Sequence, residues 1–239
     1  MEERETKYLY GHDCPFEAFI TNLGTYVEGT LEGEWVKFPT TYEKLQETLT
    51  RIGIGSTNQF GAPYKEWFIS DFSCFVSNLS PFLGEYDSVD ELNYFAAKLN
   101  ELPPDELKKF EQVVRYSDDT GNMEELINLT GNLDCYEFYP DIKNEEDLGY
   151  SCAEMLSIPE EIKPYFDYEA YGRNINIEES GCFYEEGYVC RNQELFQEVY
   201  NRKQYNLPEE YKFTSKPEQS NPQKNQETIS RQQMIGKVR

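Results

Sequence analysis

The first third of the chain follows two hydrophobic periods, which predict strands and one helix. Over residues 15–37 apolar and polar positions alternate patchily between glycines, which predicts two strands joined by a turn. Thr40 and Glu43 have the spacing of a capping box, and leucines at helical spacing follow in YEKLQETLTRI. EWFISD, at residues 66–71, predicts a third strand. Residues 14–74 are therefore predicted to form a small α+β domain.

Residues 75–117 keep a helical period almost throughout. Ser88 and Glu91 have the spacing of a second capping box, and an apolar helical face follows them. The PPD sequence at residues 103–105 predicts the start of the next helix, because proline suits the first helical turn. Two short helices with so brief a connection predict a helical hairpin or small bundle as the second domain.

Residues 118–205 mix helical and strand patterns, which predicts a third domain of mixed α+β structure. Helices are predicted after Asn122 and over residues 144–156, whereas residues 133–140 alternate like a strand. Residues 178–192 are typical of a hairpin that turns at its EEG sequence.

The stretch IPEEIKPYFDYEAYGRNINI, at residues 158–177, is predicted to turn aromatic side chains inward and carboxylates outward. Pro159 is expected to begin a short helix and Asp167 a second one. In the second helix, apolar residues from Tyr168 to Ile175 recur at spacings of three and four, which predicts a single apolar stripe.

The two ends of the chain lack these patterns. Residues 1–13 are expected to be an extension ahead of the first domain. Residues 206–239 are rich in Pro, Gln, Asn, Ser and Lys, and they show no periodic apolar positions. This composition predicts a basic, disordered tail, and we expect a chain that ends near residue 205 to fold and function without it.

The chain is strongly but unevenly acidic. It carries 45 Asp and Glu against 22 Lys and Arg, a formal net charge of −23. The imbalance belongs to residues 1–202, because residues 203–239 hold 7 basic and 4 acidic side chains. The 19 Tyr and 15 Phe supply apolar surface for a folded core. Since so large a charge opposes compaction by self-repulsion, the acidity points to a function.

The sequence offers little for common catalytic and cofactor chemistries. Its one histidine, His12, lies outside the predicted core, which disfavours Ser–His–Asp and Cys–His arrangements. Nucleotide-binding and metal-binding motifs are lacking, and the six cysteines form no CxxC pair. No signal peptide is visible, and no apolar run approaches the ~18 residues of a membrane span. We therefore expect a cytoplasmic protein without catalytic residues, cofactor, metal or membrane contact.

A dispersed acidic surface on an aromatic-rich scaffold fits three kinds of function. Duplex DNA carries one charge per ~1.7 Å of axis, and acids four apart on a helix stand roughly 6 Å apart. Such a surface can therefore replace DNA in a groove built for phosphates. The alternatives are a carboxylate-based hydrolase and an acidic binding module for another basic DNA-binding protein. An enzyme turns over, whereas an inhibitor acts at about one molecule per target site.

Three blocks of sequence resemble the ArdA antirestriction proteins of conjugative plasmids and transposons. They are NLGTYVEGTLEGEWVKFP at residues 22–39, INLTGNLDCYEFYP with EEDLGY within residues 127–150, and YFDYEAYGRNI at residues 165–175. The resemblance extends in order over residues 14–192. It implies an elongated protein of three small domains that occupies the DNA-binding site of type I restriction–modification enzymes and thereby protects incoming mobile DNA. It also implies a homodimer joined through the third domain, with no nucleic acid bound.

Acids from all three predicted domains are the candidate phosphate surrogates, and some of them also suit helix starts. They are Glu28, Glu32, Glu34, Asp87, Asp90, Glu91, Glu124, Glu125, Asp141, Glu145, Glu146, Asp147, Glu160, Glu161, Asp167 and Glu169. Their expected partner is the DNA-binding specificity and modification part of a type I enzyme. Aromatic residues on the predicted strands of the third domain are the candidate dimer contacts, namely Tyr136, Phe138, Phe183 and Tyr184.

Overall fold

The computed structural model describes residues 7–118 and 120–213, which form two compact units. Unit 1 comprises residues 7–15, 74–83, 95–118 and 120–206, and unit 2 comprises residues 16–73, 84–94 and 207–213. The described residues contain seven α-helices and two small antiparallel sheets, so the predicted α+β class is confirmed. The division into three domains stays a prediction.

Unit 2 is built on a sheet of strand order β2-β1-β3. Its strands are β1 (Phe16–Asn22), β2 (Gly33–Phe38) and β3 (Trp67–Cys74), close to the predicted positions. Alternate residues of β1, from Phe16 to Ile20, are fully buried and define the core face of the sheet. Helix α2 (Tyr42–Arg51) adds its buried leucines to this unit.

Two local features of unit 2 differ from the prediction. The predicted turn between β1 and β2 contains a short helix, α1 (Leu23–Val27), because the side chain of Asn22 accepts two of its backbone N–H groups. Helix α2 is capped by the hydroxyl of Thr41 rather than by that of Thr40. The capping signal was therefore correct in kind and wrong by one residue.

Residues 207–213, here called the C-terminal strap, pack on unit 2, so the predicted disordered tail begins too early. Leu207 and Phe213 are only 3% and 5% exposed. The backbone N–H of Phe213 donates to the buried carboxylate of Asp90 at 2.9 Å. The strap was not predicted because three hydrophobic residues in seven, Leu207, Tyr211 and Phe213, are too few to show a helical or strand period. The rest of the predicted tail, residues 214–239, lies outside the described residues.

Ending the chain after Tyr205 is expected to lower the melting temperature, contrary to the expectation drawn from sequence. The truncation removes two buried side chains, and losing a buried Phe alone typically costs about 3–5 kcal/mol. Circular dichroism during heating measures the change. A chain that ends after Phe213 is the matched control and is expected to melt like the full-length protein. Identical melting of all three chains would show that the strap contributes no stability.

Unit 1 combines helices with a second sheet of strand order β4-β6-β5. Its helices are α4 (Pro104–Tyr116), α5 (Met123–Thr130), α6 (Glu145–Ala153) and α7 (Tyr168–Glu179), each starting where a cap or proline predicted it. Helix α3 (Val89–Glu101) contributes residues 89–94 to unit 2 and its remainder to unit 1. The strands are β4 (Tyr136–Tyr139), β5 (Cys182–Tyr184) and β6 (Gly187–Arg191). The pairing of β5 with β6 confirms the predicted hairpin.

Two predicted elements of unit 1 are wrong in detail. Leu133–Cys135 forms a 3₁₀ turn ahead of β4 rather than the start of that strand. The short helix predicted at Pro159 is replaced by a turn, followed by a single 3₁₀ turn at Lys163–Tyr165. Pro164 lies inside that turn, and its missing N–H prevents a longer helix there.

Residues 7–13 of the predicted N-terminal extension pack on unit 1. Tyr8 is buried, and its hydroxyl donates to the side chain of Asn100. The ring of His12 stacks on Phe75, with 3.4 Å between ring centroids. These contacts give the only histidine a packing role in the fold.

Candidate protein-binding surface

Helices α6 and α7 meet backbone to backbone where two glycines face each other. A Cβ on Gly172 would lie 1.8 Å from the carbonyl oxygen of Glu145, and one on Gly149 would lie 1.8 Å from that of Tyr168. Only glycine fits such a contact. Beside the crossing, the rings of Tyr150 and Tyr168 stack with centroids 3.9 Å apart. An isolated glycine inside a helical pattern signals close packing, and both glycines carried that signal in the sequence.

Arginine and lysine side chains already pair with some of the predicted phosphate surrogates. Arg173 of α7 joins both helices, because its Nη2 donates to Glu169 at 2.6 Å and its Nε to Glu145 at 3.2 Å. Glu160 pairs in a similar way with Lys163 at 2.6 Å. These partners partly offset the charge of three candidate acids, and the sequence pattern does not indicate these pairings.

Three other candidate acids hold the starts of helices. Asp167 caps α7 by accepting a backbone N–H three residues further on, at 2.9 Å. Asp147, in the first turn of α6, accepts the N–H of Lys143 at 3.0 Å. Glu125, in the first turn of α5, accepts the N–H of Gly121 at 2.6 Å. Their carboxylates are therefore fixed in place near positive helix ends.

The remaining acids of this region of unit 1 meet few cations. Residues 134–186 contain 15 Asp and Glu but only 3 Lys and Arg. In the part of the chain that the structure describes, Asp141, Glu146 and Glu161 are exposed and form no ion pair. Glu124, at the start of α5, is half-buried. Residues 134–186, which we call the acidic surface of unit 1, thus present several carboxylates free to meet a partner.

The candidate acids of unit 2 near α1 and β2 differ in their exposure and in the partners that they already bind. Glu32 is exposed. Glu28 is exposed too, and it accepts the hydroxyl of Tyr64 at 2.6 Å, a hydrogen bond that raises the pKa of that tyrosine. Glu34 forms a two-point ion pair with Arg51 at 2.7 and 2.8 Å, and this hydrogen bonding lowers the pKa of the Glu34 carboxyl.

The acids at the start of α3 are not at the surface. Asp90 and Glu91 are 0% and 3% exposed, so the prediction that they belong to an accessible acidic surface is wrong. Asp90 instead anchors the N–H of Phe213. Asp87 is half-buried and accepts a backbone N–H three residues before it, at 2.8 Å. The capping-box spacing of Ser88 and Glu91 already indicated a local structural role.

The residues predicted at the dimer contact also divide into buried and accessible ones. Tyr136 is 1% exposed, and its hydroxyl bonds that of Ser117 at 2.9 Å, so it belongs to the core and its assignment to the contact is wrong. Phe138, Phe183 and Tyr184 are half-buried. Strands β4 and β5 are the outer strands of their sheet, which leaves these three side chains near its edges.

Metal-ligating side chains, thiols and apolar helices complete the description of the described residues. Among them, no group of three or more His, Cys, Asp or Glu side chains is arranged to hold a metal ion. The six cysteines are free thiols, and burial raises the pKa of Cys190 to about 12, which disfavours its reactive thiolate. None of the described helices has the length and apolar character needed to cross a bilayer.

Comparison with known families gives a match to a family model. The model of a family described as antirestriction protein (ArdA) matches residues 18–190, a range that includes the acidic surface of unit 1. No curated protein matches the sequence. The family match confirms the resemblance that the three sequence blocks indicated. Because it covers well over half of the chain, the protein belongs to the ArdA family of antirestriction proteins.

Proposed function

We propose that this ArdA-family protein prevents restriction by occupying the DNA-binding site of a type I restriction–modification enzyme. Its carboxylates take the place of DNA phosphates. The observation that carries the proposal is the acidic surface of unit 1, residues 134–186, whose sequence holds 15 acids and 3 bases and whose Asp141, Glu146 and Glu161 are exposed. A groove that binds phosphates through Lys and Arg can accept such a surface without any base contact.

The α6–α7 pair supplies the rigidity that a DNA mimic requires. A flexible acidic segment would lose conformational entropy on binding, whereas a preformed surface loses little. The backbone contact between Gly149 and Gly172 fixes the two helices against each other. The hydrogen bonds of Asp147 and Asp167 fix their first turns. The carboxylates therefore meet the target already ordered.

Competition with duplex DNA tests the proposal. DNA cleavage by a purified type I enzyme is measured over a range of inhibitor, DNA and salt concentrations. We expect excess DNA to relieve inhibition, saturation at about one inhibitor per DNA-binding site, and weaker inhibition as salt rises. Inhibition that persists at saturating DNA would overturn the proposal.

The two alternative functions predict different results. A carboxylate-based hydrolase uses two facing acids and turns over, so amounts far below one per target would suffice. An acidic module for another basic protein would leave type I cleavage unchanged and would retain that protein in a pull-down. Plasmid transfer into hosts with defined restriction systems identifies the target enzyme.

We also propose that two copies associate through the sheet of unit 1. Phe138 and Phe183 lie on its outer strands, and exposed strand edges readily pair across a two-fold axis. Light scattering at micromolar concentration is expected to give twice the chain mass of 28.1 kDa. Phe138→Asp is expected to weaken the dimer, and Phe60→Asp in unit 2 is the control. A monomer mass for the unaltered protein would contradict the proposal.

A further inference from the structure

One exposed stretch of unit 2 combines apolar and acidic side chains in a way that phosphate mimicry does not use. Between residues 26 and 35, the exposed fractions are 54% for Tyr26, 77% for Val27, 61% for Leu31 and 42% for Trp35. The acids Glu28, Glu32 and Glu34 alternate with these residues. Phosphate surrogates need no such apolar neighbours. The alternation therefore indicates a partner that offers both positive charge and flat apolar surface.

The aromatic part of this stretch lies on the outer face of the unit 2 sheet. Trp35 on β2 stands opposite Phe19 on β1, with ring centroids 5.1 Å apart. On the other side of β1, the ring of Phe68 on β3 meets Tyr26 of α1 at 5.3 Å. These rings face away from the buried residues of β1, because successive side chains of a strand point to opposite faces.

Gly33 on β2 leaves room for the ring of Phe19. A Cβ on Gly33 would lie 2.5 Å from the ring of Phe19, so that ring lies over the bare backbone of β2. Phe19 in turn is half-buried and supports the more exposed Trp35. The indole of Trp35 thus packs at a tilt on the ring of Phe19 and remains 42% exposed. We call Tyr26, Trp35 and their supporting rings the aromatic face.

We propose that the aromatic face binds arginine side chains from the DNA-binding groove of the target, a step that rests on the proposed function. A planar guanidinium stacks on an aromatic ring and at the same time donates a pair of hydrogen bonds to a carboxylate. Glu32 lies in the same stretch and is exposed. Glu28 is exposed too, and its two carboxylate oxygens accept the Tyr64 hydroxyl at 2.6 Å and the Asn58 amide at 3.1 Å, which holds that carboxylate in place. Glu34 shows the same chemistry within the protein, where it binds Arg51 at two points. Lysine, which lacks the planar fork, is expected to bind less well.

A fluorescence titration with two peptides tests the preference for arginine. The chain has two tryptophans, Trp35 and Trp67, so the variant Trp67→Phe reports on Trp35 alone. Blocked tetra-arginine and tetra-lysine peptides carry equal charge, and each is added to this variant at low salt. We expect the Trp35 signal to saturate at a several-fold lower concentration of the arginine peptide. Equal affinities, or no Trp35 response to either peptide, would overturn the inference.

Inhibition of a type I enzyme tests whether the same contact is used on the target. Trp35→Ala is expected to raise the half-inhibitory concentration about tenfold, within the range of aromatic contacts to cations. Trp35→Phe keeps a ring and is expected to retain most of the inhibition. Phe60→Ala, at a side chain 83% exposed in the same unit, is the matched control and is expected to change nothing.

The outcomes separate this inference from the proposed function. If Trp35→Ala inhibits like the unaltered protein and excess DNA still relieves inhibition, the aromatic face plays no part and mimicry stands. If the unaltered protein does not compete with DNA, both proposals fail. Melting curves show whether Trp35→Ala remains folded. If Trp35→Ala unfolds, the peptide titration on Trp67→Phe, which keeps Trp35, still tests the inference.

Discussion

Replacing Gly172 with alanine is expected to force α6 and α7 apart, to lower the stability of unit 1 and to weaken inhibition. The added Cβ would lie 1.8 Å from the carbonyl oxygen of Glu145, far inside any allowed contact. The obstacle is backbone rather than a flexible side chain, so it cannot rotate away. Gly149→Ala meets the backbone of Tyr168 at the same distance and is expected to behave alike.

Two opposing contributions decide whether Gly172→Ala raises or lowers the free energy of unfolding. Alanine favours a helix over glycine by about 1 kcal/mol, which alone would stabilise α7. Overpacking a core typically costs about 1–3 kcal/mol, and a clash with backbone lies at or above the top of that range. The clash therefore dominates. For a chain of this size, a net loss of about 2–3 kcal/mol lowers the melting temperature by roughly 5–10 °C.

Thermal unfolding of both glycine variants checks this expectation, and Gly84→Ala is the matched control. A Cβ on Gly84 would find its nearest neighbour at 3.8 Å, an ordinary contact, so that variant is expected to melt like the unaltered protein. If Gly149→Ala and Gly172→Ala also had the melting temperature of the unaltered protein, the close approach of the two helices would contribute nothing to stability.

Features encoded in neighbouring residues were predictable from the sequence. Asn122, Asn144 and Asp167 each accept a backbone N–H at a helix start, and that requirement is local. The hairpin over β5 and β6 follows from a two-residue turn between alternating strands. Such elements depend on residues that lie only a few positions apart, and the sequence shows that spacing directly.

Features that depend on distant partners were not predictable. The strap at residues 207–213 is recognisable only because Asp90, more than a hundred residues earlier, accepts its N–H. The sequence identifies which residues of the candidate surface are acidic. It does not show which of these carboxylates are exposed and which form ion pairs. The sequence pattern does not distinguish Glu34 and Glu145 from Glu146. The fold, however, places Arg51 beside Glu34 and Arg173 beside Glu145.

Neutralising the free acids of unit 1 together is expected to weaken inhibition strongly while leaving the fold intact. Asp141→Asn, Glu146→Gln and Glu161→Gln act at exposed carboxylates that form no ion pair in the described chain. Each single change is expected to cost no more than about fivefold in affinity, as exposed charges usually do. The triple variant is expected to multiply these losses and to flatten the salt dependence of inhibition.

A control that leaves the net charge unchanged distinguishes surface charge from structure. Replacing Glu160 and Lys163 together by glutamine removes an ion pair on the same surface, so inhibition is expected to stay as it was. The triple variant relieves self-repulsion in a chain of net charge −23, so its melting temperature is expected to hold or rise. Weaker inhibition without lower stability then has to come from lost attraction to the target. If Glu146→Gln alone abolished inhibition while the other two changes had no effect, a discrete site rather than a distributed phosphate mimic would be indicated.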